Sequence, residues 1–277
     1  MQSKTAHDAA LTWTRISGGL LAAGITYATA NYDSTWAWRA PSAVQGSFSV
    51  ICILILPFIP ESPRWLVRQG HSEAALAVVA QTYANGDRDD PIVLAAFKEI
   101  VDTLDFEKNT DQQLTFKECF KTPSARRRIA LACSAAVFST IGGNVMISYY
   151  LGPLLTNAGI TSTTTQLEIN IILNAWSLVC SVLGTFGLDK IGRKSTALAS
   201  QTGLTISIFI VGALTKVYGN STDKSGIYGT VAAIFLFMGA YSYGWTPLLY
   251  LYPPEVLNYP IRAKGIGIFQ FVANAVA

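Results

Sequence analysis

The sequence predicts an all-α protein threaded through a lipid bilayer, and three observations predict it. Apolar residues make up 51% of the chain and charged residues only 13%, about half the ~25% usual for a soluble domain. The charges are gathered rather than spread, with ten Lys or Arg and ten Asp or Glu between Arg64 and Arg128. The long apolar runs elsewhere approach the ~20 residues that a helix needs to cross hydrocarbon, where lipid offers unpaired backbone groups no partner.

Taken in order, six stretches qualify at least in part: Thr12 to Ala30, Ala43 to Ile59, Ile129 to Leu155, Ile169 to Leu188, Thr196 to Tyr218 and Tyr228 to Tyr252. The start, Met1 to Ala10, lacks the basic flank and small-residue cleavage site of a signal peptide. A seventh apolar run begins at Gly265 and reaches Ala277 after 13 residues, too few to span. The chain is therefore expected to end inside a helix. Between the second and third spans lies one water-facing block, Arg68 to Arg128. Within it Ser72 to Tyr83 and Ile92 to Leu104 carry apolar residues at helical spacing against charged ones, with a break at Asn85-Gly86-Asp87. The expected organisation is residues 1–66 as two spans, 67–126 as a water-facing helical linker domain, and 127–277 as the remaining spans.

Charge also sets the orientation. Fifteen Lys or Arg lie in Arg64 to Arg128, Lys190 to Lys194 and Arg262 to Lys264, against Arg39, Lys216 and Lys224 in the alternate loops. By the positive-inside rule the first set faces the cytoplasm. The opposite loop then carries Asn220-Ser221-Thr222, an acceptor sequon, so Asn220 is a candidate for glycosylation. The formal net charge of +3 is small and scattered, which points away from nucleic acid. Cys52, Cys119, Cys133 and Cys180 have no metal-ligand spacing and read as packing residues. His7 and His71 are the only histidines, and no nucleophile elbow or phosphate-binding glycine loop is present. No enzymatic activity, cofactor or metal is expected.

Asn, Gln, Ser and Thr at bilayer depth are costly unless they find partners, so they mark helix contacts or a binding cavity. Asn144, Asn170, Asn174 and Asn274 are such residues. An amide both donates and accepts, which suits a sugar hydroxyl, and the rings of Tyr149, Tyr150 or Tyr250 could cover the apolar face of a pyranose. For each Asn, an interhelical bond and a substrate contact are both open.

Several motifs fall in a familiar order. Pro60-Glu61-Ser62-Pro63-Arg64-Trp65-Leu66 follows the apolar run Phe48 to Ile59, and Trp38-Arg39-Ala40-Pro41-Ser42 with Gln45 precedes it. Phe138-Ser139, Gly143-Asn144 and Ser148-Tyr149-Tyr150 come next, then Asp189-Lys190-Ile191-Gly192-Arg193-Lys194, and finally Tyr252-Pro253-Pro254-Glu255-Val256-Leu257 with Arg262-Ala263-Lys264-Gly265. Together they resemble the sugar porter branch of the major facilitator superfamily, nearest to fungal lactose and hexose permeases. The resemblance implies a partial major facilitator fold, with spans five and six, a cytoplasmic helical domain, and spans seven to ten with part of eleven. It implies transport of a hexose or disaccharide by alternating access, with protons as the coupling partner and the plasma membrane as location.

It also assigns residues. Ser139, Thr140, Asn144, Tyr149, Asn174, Tyr250 and Asn274 are the candidate sugar-binding positions. Glu61, Arg64, Asp189, Arg193, Glu255 and Arg262 match a cytoplasmic charge network that holds the outward-open state. Two departures leave the sugar open: Ser139 and Thr140 stand where many members carry a sugar-binding Gln pair, and Tyr250 stands where a Trp is expected. A transporter-like sugar sensor and a truncated remnant that moves nothing remain as other readings, and the 277 residues alone are expected not to transport.

Overall fold

In a computed structural model the described residues are 2–30, 32, 34–109, 120–218 and 224–277, and they form helices joined by short turns. In chain order the helices are α1 (Gln2–Thr29), α2 (Trp36–Ile55), α3 (Pro63–Arg68), α4 (Ser72–Ala84), α5 (Pro91–Asn109), α6 (Pro123–Ser139), α7 (Val145–Asn157), α8 (Thr163–Ile191), α9 (Arg193–Tyr218), α10 (Lys224–Val256) and α11 (Tyr259–Val276). A 3-10 turn, Leu56–Phe58, prolongs α2, and a π turn, Thr140–Asn144, joins α6 to α7 into one broken span.

Among the described residues five segments are long and apolar enough to cross a membrane: Trp36–Phe58, Pro123–Asn157, Thr163–Ile191, Arg193–Tyr218 and Ser225–Val256. The expected first span is not among them. Helix α1 forms, and starts ten residues earlier than the apolar run does, but Thr14, Arg15, Ser17, Thr26, Tyr27 and Thr29 dilute its apolar length. Tertiary contact sustains it instead: α1 packs along α8 and touches α10.

The chain divides into two compact units, one of Ser42–Glu118 and one of Met1–Pro41 with Cys119–Ala277. The division differs from the boundaries at 66 and 126: α1 packs with α8 and α10, while α2 from Ser42 onward groups with the helices after it. In the smaller unit, the periodicity of α4 and α5 is used as expected: Val79, Ala80 and Val93 are buried together, flanked by Leu76, Ala84, Ala96 and Ile100. Asn85 stops α4 in the left-handed region at φ 48°, and Gly86 follows at φ 99°, so the break read from Asn85-Gly86-Asp87 is a turn that favours residues with little Cβ penalty.

The larger unit is built on α8, α9 and α10. Thr122 and Ser162 accept hydrogen bonds from the amides of Ala125 and Thr165, capping α6 and α8 and extending both beyond their apolar runs. Leu155, Leu188, Leu204, Ile234 and Phe237 are fully buried between the helices. Small residues let the backbones approach closely. Pro247 lacks the amide that would bond the Tyr243 carbonyl, and Gly184 of α8 lies against that carbonyl, where any Cβ would collide with it.

Candidate functional site

Part of the candidate set lies in two places within the larger unit: the broken span of α6 and α7, and the ends of α8, α9 and α10. At the first, Gly143 adopts φ 91°, a conformation that costs an L side chain ~1–2 kcal/mol. A Cβ there would stand 2.7 Å from Ile208 Cδ1 and 3.6 Å from Phe237 Cζ. The glycine pair Gly142-Gly143 therefore gives both the twist and the room that let the span break against α9 and α10. A π turn leaves the regular hydrogen-bond ladder, and such turns recur at functional sites.

The polar residues around this break differ in what they already hold. Ser139 is buried and its hydroxyl donates to the Ala136 carbonyl at 2.8 Å; Thr140 donates to the same carbonyl at 2.9 Å. Asn144 closes the π turn, is half-buried, and has no side-chain hydrogen-bond partner among the described residues. Tyr149 is 80% exposed on α7, Tyr250 is half-buried on α10 three residues past Pro247, and Asn274 is exposed near the end of α11. Asn174 lies apart from the break, on α8. Its Nδ2 donates to the Asn170 carbonyl at 2.8 Å and to Asn170 Oδ1 at 3.1 Å, and its Oδ1 is 3.2 Å from where a Cβ on Gly19 of α1 would be.

At the second place three of the six charged candidates meet. Arg193 donates through Nη2 to Glu255 Oε1 at 2.9 Å and through Nε to Glu255 Oε2 at 3.2 Å, a bidentate pair, while Nη1 lies 3.5 Å from Asp189 Oδ1. Gly192, at φ 88°, turns the chain between α8 and α9 so that Asp189 and Arg193 come within reach of α10. Arg128 Nη1 donates to the Val256 carbonyl at 2.9 Å, satisfying an end of α10 that lacks an intrahelical partner. Arg262 is exposed on α11. Glu61 is exposed and Arg64 half-buried in the other unit. Asn220 lies outside the described residues.

One polar side chain that was not singled out, Gln201, stands against the broken span, and Trp245 is bonded to it. Gln201 of α9 accepts from Trp245 Nε1 of α10 at 3.1 Å, and its amide lies 3.5 to 3.6 Å from where a Cβ on Gly142 would be. The signal was legible: a lone amide in the apolar run Thr196 to Tyr218 meets the same criterion that selected Asn144 and Asn174.

Residues 10–277 match the sequence pattern of a family described as sugar (and other) transporter. The chain is similar to the MFS-type transporter criB of Aspergillus cristatus, 28% identical over 92% of this chain and 54% of that protein. It is likewise 28% identical to the MFS glucose transporter mfs1 of Aspergillus flavus, over 94% of this chain and 52% of that one. Among solved structures, the proton:xylose symporter XylE bound to 6-bromo-6-deoxy-D-glucose superposes with a TM-score of 0.74 at 23% identity, covering 97% of this chain and 54% of XylE. The chain thus spans about half the length of the relatives it matches.

Proposed function

Because the chain belongs to the sugar (and other) transporter family, we propose that it serves in carrying a hexose or disaccharide across the plasma membrane by alternating access, with proton symport as the coupling. The observation that carries this reading is the broken seventh span. A transporter must expose polar groups at membrane depth only where substrate meets them, and discontinuous helices do so at the cost of a local ladder break. Here the break ends on Asn144, an amide able to donate and accept, while Ser139 and Thr140 beside it are bonded to their own helix. Proton coupling is supported by the likeness to a symporter, and the sugar by the glucose and xylose carriers among the relatives.

The Asp189, Arg193 and Glu255 cluster serves as the latch of this device. An ion cluster joining the turn between α8 and α9 to the end of α10 holds one arrangement of these helices and biases the two-state equilibrium. The test is uptake of labelled glucose, galactose, xylose and lactose by transport-deficient yeast expressing the reading frame that carries this chain, with and without a protonophore. Saturable uptake of at least one sugar, collapsed by the protonophore, is expected. Uptake of none above the vector control sinks the reading, and uptake indifferent to the protonophore removes the coupling alone.

A further inference from the structure

We infer that Gln201 is a positioning residue for transport, holding the break between α6 and α7 and the Pro247 stretch of α10 in fixed relation; the inference rests on the transport reading above. Helix α9 contributes no residue to the candidate sugar-binding set, yet Gln201 stands between the broken span and the proline-bearing α10. Eight residues past Arg193, it lies about 12 Å into the helix by the ordinary rise. On one side its amide packs against Gly142, the residue before the left-handed Gly143 and two before Asn144. On the other, Oε1 accepts from Trp245, which is buried, two residues before Pro247 and five before Tyr250.

The physical case is that helices with incomplete backbone bonding need an external reference. Pro247 removes a rung of α10 and the π turn disturbs the ladder of the seventh span, so neither stretch fixes its own geometry through backbone bonds alone. Apolar contact is non-directional and would let the two slide. A hydrogen bond to a buried indole is directional, and Trp245 has a single donor that cannot find water at 4% exposure. Leu204 and Ile208, one and two turns further along the same face of α9, press on Gly142 and Gly143, so the amide adds orientation to a surface that already supplies packing. Two helices that carry candidate sugar contacts are thereby tied to one side chain on a third.

The experiment compares Gln201→Leu, Gln201→Glu and Trp245→Phe, singly and with Gln201→Leu combined with Trp245→Phe, normalising to folded protein. Transmembrane hydrogen bonds between side chains are worth amounts that correspond to roughly three- to twentyfold. Gln201→Leu is expected to lower maximal uptake per folded copy by that factor with KM within about twofold, Gln201→Glu, which keeps an acceptor, to restore most of it, and the double variant to equal the worse single one. A merely structural role would lower the amount of folded protein and leave uptake per copy unchanged, which overturns the proposal; so would a double variant whose loss is the product of the single losses. Amide hydrogen exchange of the detergent-solubilised chain tests the same idea without any sugar. Peptides covering residues 140–144 and 243–247 should speed up together in Gln201→Leu while those of α8 do not. If wild type takes up no sugar, the transport reading fails, and the exchange result still decides: acceleration at both segments supports the tie between them, and acceleration at one, neither or everywhere refutes it.

Discussion

Arg193→Lys preserves the charge of the cluster and removes its geometry, which makes it the most discriminating change at this end of the molecule. Arg193 holds Glu255 through two nitrogens at 2.9 and 3.2 Å and stands 3.5 Å from Asp189. A lysine presents one compact ammonium and cannot form the fork. The Arg193 side chain is 35% exposed and that of Glu255 44%, so solvent screens the pair and the ~0.2–1 kcal/mol typical of surface ion pairs applies, its upper end favoured by the bidentate arrangement. Losing ~1 kcal/mol corresponds to about a fivefold change in an opening equilibrium. The assay is amide hydrogen exchange at Gly192 and Thr196, whose N–H groups donate to the Leu188 and Gly192 carbonyls at 3.1 Å each and so report local opening of the turn. Arg193→Lys and Glu255→Gln should each speed exchange by up to about fivefold, and the double variant should be no faster than the worse single one. The effect should shrink as salt rises through the range where the Debye length falls below ~10 Å. Independent, salt-insensitive effects of the two changes would refute the reasoning.

Asn144→Ala should lower uptake while leaving surface expression near wild type, because an unmatched hydroxyl in a dry cavity costs ~1–3 kcal/mol, roughly five- to 150-fold in affinity; lost expression with normal uptake per copy would move Asn144 to a packing role. Gly143→Ala should lower the thermal stability of the purified chain, since the left-handed backbone alone costs ~1–2 kcal/mol and the Cβ would crowd Ile208; an unchanged melting temperature would mean that the π turn relaxes to a regular helix. The 277-residue chain reconstituted alone should show no saturable sugar uptake in vesicles, because alternating access needs two halves that rock around a shared site; uptake inhibited by excess cold sugar would contradict this unless the chain assembles as an oligomer.

Much of the fold was legible because length and apolarity decide what a bilayer accepts. The spans from Ile129 onward and the two amphipathic helices fall close to where the sequence put them, and caps at Thr122 and Ser162 carry α6 and α8 past the start of their apolar runs. Two things were less legible. Helix α1 begins at Gln2, which no apolar signal marks, and it packs along α8. The π turn at 140–144 is marked only by a glycine pair, and its occurrence depends on Leu204, Ile208 and Phe237 arriving from distant parts of the chain. The same distance hides the pairing of Gln201 with Trp245, 44 residues apart. The Arg193 cluster was partly readable, since Asp189 and Arg193 are one helical turn apart, whereas Glu255 is brought to them only by the packing of α10 on α8 and α9.

The residues that could hold substrate separate by asking which polar groups at membrane depth are already satisfied. Ser139 and Thr140 spend their hydroxyl hydrogens on Ala136, Asn174 donates to Asn170, Ser200 donates to the Ala240 carbonyl at 2.7 Å, and Trp176 Nε1 to the Phe235 carbonyl at 3.0 Å. Each of these bonds meets a cost that burial would otherwise impose, and the last two also join helices. The hydroxyls of Ser177, Ser181 and Thr215 are buried without a partner, and Asn144 is the amide left so: half-buried, at the end of a turn that breaks the ladder, and, like them, without a side-chain partner among the described residues. An amide left so would be a liability in a span with a purely structural duty, since a leucine of similar size would pack there at no polar cost. In the transport function proposed above, a ligand with both donors and acceptors would complete it, which is why the expected loss for Asn144→Ala falls on affinity rather than on folding.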